Sequence, residues 1–152
     1  MCPHPIRKDI PSLLELENPN IASYPIESVI AEKLEAIIVL SLLTSRMKDF
    51  YDVYIISRTF TLRFKDVYAA ISQTFARRKT TMPSETPIVF TEQVYQDTVT
   101  QKQWKAFVGK LRNEHSELEF AQVISRISEF TSVLWNRGSA NPHTWNPDTG
   151  WQ

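Results

Sequence analysis

Residues 24–56, YPIESVIAEKLEAIIVLSLLTSRMKDFYDVYII, decide the fold. From Ile26 the apolar positions recur at helical steps. Ile26, Ile30, Ile37 and Leu40 form one line, and Ala31, Leu34, Ile38 and Leu42 a second. Apolar residues thus cover much of the girth, which predicts a central, buried helix. Leu43-Thr44-Ser45 ends it, with Ser45 placed to cap a second helix from Arg46 to about Arg58. So short a link predicts two neighbouring antiparallel helices.

Working outward, Lys65 to Arg78 reads as a third helix with the stripe Val67, Tyr68, Ile71 and Phe75. Thr80 to Pro87 is a loop between prolines, and Glu92 to Thr98 a short helix. Trp104, Phe107, Val108 and Leu111 mark the next helix. Leu118 to about Trp135 is the last, striped by Phe120, Val123, Ile124, Ile127, Phe130 and Leu134. In front of residue 25 the chain is broken by Pro3, Pro5, Pro11, Pro19 and Pro25. Leu13 to Leu16 and Ile21 to Tyr24 read there as a short hairpin across Glu17-Asn18-Pro19-Asn20. Residues 136–152, NRGSANPHTWNPDTGWQ, are rich in turn formers and predict an irregular or disordered tail. The expectation is a mainly α bundle of five to six helices over residues 1–135, with a β-hairpin or extended segment over 1–25.

Composition excludes several classes of function. The 152 residues suit one domain with a real core. Seventeen basic residues balance seventeen acidic ones, so a free-standing nucleic-acid binder, with its basic excess, is disfavoured. One cysteine, Cys2, rules out an internal disulfide and fits a reducing compartment. No apolar run approaches the roughly 20 residues that span a bilayer. The N-terminus MCPHPIRKD carries no apolar signal core, so the expected location is cytoplasmic and away from membranes. Three glycines, at 109, 138 and 150, cannot build a phosphate-cradling loop. His4, His115 and His143 lie far apart and read as exposed loop residues, so no metal site is expected.

Charges placed inside the helical pattern are more informative. Lys33 has Val29, Ile30, Ala36 and Ile37 as helical neighbours, so it either snorkels to an edge or is placed for a site. Glu32 and Glu35 fall toward the more polar surface. Asp49 and Asp52, three residues apart, share one face of the second helix with Val53 and Ile56. Such a pair can orient a hydroxyl, hold a cation or move a proton. It can equally serve the helix dipole, with Asp52 paired to Lys48 one turn back. Arg46 and Lys48, with Lys33, could contact phosphate oxygens. Arg77, Arg78 and Lys79 close the third helix, where a dipole role is the simpler reading than contact with RNA. Phe50, Tyr51, Tyr54, Trp104 and Phe107 read as core.

YPIESVIAEKLEAI followed by SRMKDFYDVYII resembles the C-terminal signature of the nucleotidyl transferase AbiEii/AbiGii toxin family. AISQTFARRKT, TMPSETP and KQWKAFVGKL are similar to later parts of that family, so the resemblance covers roughly residues 10–135. AEKL and RMKDFYD at this spacing are specific together. The resemblance implies a bacterial toxin of toxin–antitoxin and abortive-infection systems. Its implied activity is transfer of a nucleoside monophosphate from a nucleoside triphosphate to an acceptor, tRNA in several members. It implies Lys33 as the phosphate contact, Asp49 and Asp52 as the acids, and Arg46 and Lys48 in support. Mg²⁺ and nucleotide would be held by a Gly-Ser and Asp-x-Asp half, and none is expected to bind tightly to this chain alone. An antitoxin, an RNA acceptor and a second copy are the partners to be expected.

One departure matters. The aspartates stand at 9, 49, 52, 66, 97 and 148, so no Asp-x-Asp occurs, and the single Gly-Ser, Gly138-Ser139, lies in the tail. Glu15-Leu-Glu17 imitates a metal pair but reads as solvated. The expectation is the C-terminal helical half of such a toxin, inactive without the missing N-terminal half. The competing expectation is a non-catalytic helical module for protein interaction or dimerisation.

Overall fold

Pro25 starts the first helix: its carbonyl accepts hydrogen bonds from the backbone N–H groups of Ser28 and Val29 at 3.1 and 3.3 Å. The computed structural model describes residues 25–40, 47–111, 115, 117–135 and 142–152. Helix α1 (Ile26–Leu40) buries Ile26, Ile30, Ala31, Leu34 and Ile37 from the two predicted lines and Val29 beside them, while Ile38 is half-buried. Helix α2 (Met47–Thr59) is the more enclosed of the two. Every residue from Phe50 to Ser57 is buried, so it is the axis of the bundle. It packs on α1 on one side and on the last helix on another.

Strand β1 (Leu62–Arg63) leads directly into α3 (Phe64–Arg77), which packs extensively along α1. A 3-10 turn (Ile88–Phe90) and the single-turn helix α4 (Glu92–Tyr95) follow. Helix α5 (Thr98–Val108) starts at Asp97, whose carboxylate accepts from the N–H and the hydroxyl of Thr100, both at 2.9 Å. Helix α6 (Phe120–Trp135) buries eight residues, from Phe120 to Trp135, along one face. Its stripe meets α2, the 3-10 turn and α4, closing one continuous core.

The chain is mainly helical, with six α-helices among the described residues, as the periodicity requires. The proposed N-terminal hairpin, the Ser45 cap and Arg46 lie outside the described residues. The tail differs from expectation. Strands β2 (Thr144–Asn146) and β3 (Gly150–Trp151) form a hairpin, and β2 pairs antiparallel with β1 in the order β1-β2-β3. Trp145 lies opposite Leu62 on one side and Trp151 on the other. Gly150 closes the turn at φ +85°, where any side chain would be strained and its Cβ would stand 3.1 Å from the Glu129 carboxylate. Composition predicts disorder here because it counts turn residues. It does not count two tryptophans with core to enter: the Trp145 side chain is fully buried, and the Trp151 indole stacks on Phe130 at 5.7 Å.

Candidate functional site

Lys33 stands near the middle of α1 with buried Val29, Ile30 and Ile37 around it. Its side chain, 14% exposed, turns inward across the α1–α2 contact. The ammonium Nζ lies 3.2 Å from Asp49 Oδ1 and 2.9 Å from Asp52 Oδ2. Snorkelling is thereby excluded, because the charge is answered inside the bundle. Asp49 occupies the first turn of α2 and is 15% exposed; Asp52, one turn on, is completely buried. Lys48 reaches along α2 and donates to Asp52 Oδ1 at 3.3 Å and Oδ2 at 3.4 Å. The pairing of Asp52 with Lys48 and its pairing with Lys33 therefore coexist, and both carboxylate oxygens of Asp52 face ammonium groups. Among the described residues, two lysines balance two aspartates.

Removing a carboxylate from water costs several kcal/mol unless charge and hydrogen bonds replace the lost hydration. Two ammonium groups supply both for Asp52. The three-residue spacing makes this possible: it stacks both acids on the face of α2 that meets α1. An ammonium so placed has three donor hydrogens in a fixed position, suited to anionic oxygens.

The remaining polar residues lie elsewhere. Glu32 stays partly exposed, as expected, whereas Glu35 turns inward; both meet the end of α3. Glu35 is buried and accepts from Arg78 at 2.8 Å and from the Thr80 hydroxyl at 2.6 Å. Glu32 lies 3.4 Å from Arg77 and 3.7 Å from Arg78. The Arg77-Arg78 pair therefore ties α3 to α1, a role beyond the helix dipole. Burial pushes the Glu35 carboxyl up, but the Thr80 hydroxyl and Arg78 outweigh it and leave it below its ordinary value. Glu27, in the first turn of α1, is held above its ordinary value by burial and by Asp66. His143 is exposed as expected, but His115 is half-buried, edge-on to Tyr51 at 5.8 Å and Tyr54 at 6.4 Å.

A cavity of about 520 Å³ lies between α5 and the start of α6, lined by Tyr95, Trp104, Lys105, Glu117 and Phe120 among others. Lys33, Asp49 and Asp52 do not line it. Among the described residues no group of three or more His, Cys, Asp or Glu converges as a metal site would. A hard divalent cation needs about six oxygens, and the two carboxylates here already face ammonium groups. The described residues therefore do not fit Mg²⁺. No described helix is long and apolar enough to cross a membrane.

The fold and cluster define a mainly helical domain that presents a lysine held between two acids. The family model for the nucleotidyl transferase AbiEii toxin of type IV toxin–antitoxin systems matches residues 1–126, and the chain belongs to that family. The match takes in the whole Lys33, Lys48, Asp49 and Asp52 cluster and ends within α6, before the C-terminal hairpin. Neither the comparison with curated proteins nor that with solved structures found a significant match.

Proposed function

We propose that the Lys33–Asp49–Asp52 cluster is the helical part of a nucleotidyltransferase active site. The acceptor's nucleophile attacks the α-phosphorus of a nucleoside triphosphate. A new P–O or P–N bond forms, and the bond to the bridging oxygen breaks. Pyrophosphate leaves with the electron pair. Lys33 contacts the phosphates, where ammonium hydrogen bonds answer developing negative charge. Asp49 and Asp52 are the acids of the site, and Arg46 and Lys48 support the phosphate contact. One observation carries this reading: an ammonium on α1 lies within 3.2 Å of two carboxylates on α2, in the segment that bears the family's motifs.

The sequence contains no Asp-x-Asp, and the described acids do not suit a metal. The reading therefore assigns metal binding to a Gly-Ser and Asp-x-Asp half and expects this chain to be inactive alone. RNA, tRNA in particular, is the proposed acceptor, an antitoxin the proposed regulator, and the cytoplasm the place of action. The test mixes the chain with an N-terminal half from the family, labelled nucleoside triphosphates and total RNA. RNA labelling that disappears with Lys33→Ala supports the proposal. Labelling that survives Lys33→Ala overturns Lys33's role. A stable dimer with no labelling favours the non-catalytic interaction module instead.

A further inference from the structure

We infer that the two acids of this cluster have different tasks, an inference that deepens the phosphate reading above and rests on it for the ligand. Asp52 and Lys48 are positioning residues, a buried ionic anchor that fixes the Lys33 ammonium. Asp49 is the exchangeable partner, whose contact with Lys33 gives way to an anionic oxygen of the ligand.

Burial separates the two carboxylates. Asp52 is fully buried; its Oδ2 faces Lys33 at 2.9 Å, and Lys48 reaches its Oδ1 at 3.3 Å and its Oδ2 at 3.4 Å. Asp49 is partly exposed and faces Lys33 at 3.2 Å. Suppose an anion draws Lys33 away from one of them. Leaving Asp52 would strip its shortest ammonium contact from a carboxylate that water does not reach, with Lys48 alone to answer it, which is costly. Leaving Asp49 would release one whose side chain keeps 15% of its surface at solvent although its Oδ2 is buried, so the cost is smaller. The swap therefore takes place on the Asp49 side, and Asp52 keeps its hold.

Lys48 makes the swap favourable. With two acids and no second cation, Lys33 would be over-neutralised and would repel phosphate. Lys48 sits four residues before Asp52 on the same helix, an orientation fixed by the backbone. It answers part of the Asp52 charge, so that Lys33 retains positive field for a ligand. Lys48 thus supports the phosphate contact through Asp52, by compensating its charge, and not by touching phosphate itself.

The test is NMR of the lysine ammonium groups in the full chain labelled with ¹⁵N-lysine, with inorganic tripolyphosphate as the anion. A slowly exchanging Lys33 ammonium signal is expected in the wild type. It should persist in Asp49→Asn, which should also bind tripolyphosphate several-fold more tightly, and it should vanish in Asp52→Asn. Equal loss in both variants, or loss in Asp49→Asn alone, overturns the division of tasks. Asp52→Asn could fail to fold, so Lys48→Met provides an independent check. With its second cation gone, Asp52 should hold Lys33 harder and slow its proton exchange several-fold. Unchanged or faster exchange, or a tripolyphosphate shift larger at Lys48 than at Lys33, overturns the anchor. If the variant pattern holds but tripolyphosphate leaves Lys33 unmoved, the anchor stands and the phosphate reading falls.

Discussion

The indole Nε1 of Trp145 donates a 2.7 Å hydrogen bond to the carbonyl oxygen of Ser57, 88 residues earlier in the chain. That carbonyl belongs to the last turn of α2, where helix geometry leaves C=O groups without intrahelical partners. Arg126 of α6 donates to the same oxygen at 3.2 Å, and its guanidinium lies 4.8 Å from the Trp145 ring centre. Arg126 also donates to the carbonyl of Pro147 in the hairpin turn. The C-terminal hairpin thus caps the helix that carries Asp49 and Asp52.

Trp145→Ala should therefore behave as a core substitution, losing about 3–5 kcal/mol of stability in urea denaturation. Trp151→Phe keeps the stacking and removes the hydrogen bond from Nε1 to the Phe130 carbonyl at 2.8 Å. Its loss should be about 1 kcal/mol. A cost below about 1 kcal/mol for Trp145→Ala would mean that the hairpin does not belong to the cooperative core.

The end of α3 offers a stabilising change. Thr80 N–H bonds to the Phe75 carbonyl at 2.8 Å and Lys79 N–H to the Ala76 carbonyl at 3.1 Å, the double bond of a Schellman motif. The left-handed position falls on Lys79 at φ 57°, where glycine carries no side-chain penalty. Lys79→Gly should raise stability by about 1 kcal/mol, read as a later urea midpoint with unchanged slope. An earlier midpoint would contradict the motif.

Two glutamates on α1 should titrate against each other. Glu35 is held below 4.5 in the folded chain, so its contribution is complete above 4.5 and disappears as pH falls through the folded value. Glu27 is held above 4.5, so the cost of its ionised form sets in above 4.5 and is complete above the folded value. Glu35→Gln should destabilise the chain at pH 7, and the difference should vanish in acid. Glu27→Gln should stabilise at pH 7 and change nothing below 4.5. Urea midpoints measured across pH for both variants check this; a Glu35→Gln penalty independent of pH would contradict it.

The helices were legible because each carries its own periodic stripe: α2, α3 and α6 lie within a few residues of their expected limits, α1 starts at Ile26 as expected, and α5 takes in Trp104, Phe107 and Val108 of its stripe. The Lys33, Asp49 and Asp52 cluster was legible for a related reason. A charge on an apolar face must be answered, and the short link between the helices places the answer next door. Other features depend on long-range partners that no local pattern reveals. β1 is two residues long and pairs with a strand some eighty residues later. Glu35 reads as surface until Arg78 and Thr80 arrive from 43 and 45 residues away. Trp145 sits among Asn, Pro and Thr, and its pocket is formed by Ser57, Arg126 and Phe130.

The site depends on the interaction of Lys33 with Asp52 across the α1–α2 contact. A double-mutant cycle on folding stability measures it most directly, with Lys33→Met, Asp52→Asn and the two combined in urea denaturation. A coupling energy of about 1–3 kcal/mol is expected, each single change leaving a buried charge that the double change removes. Losses that simply add, with coupling within about 0.5 kcal/mol of zero, would contradict it.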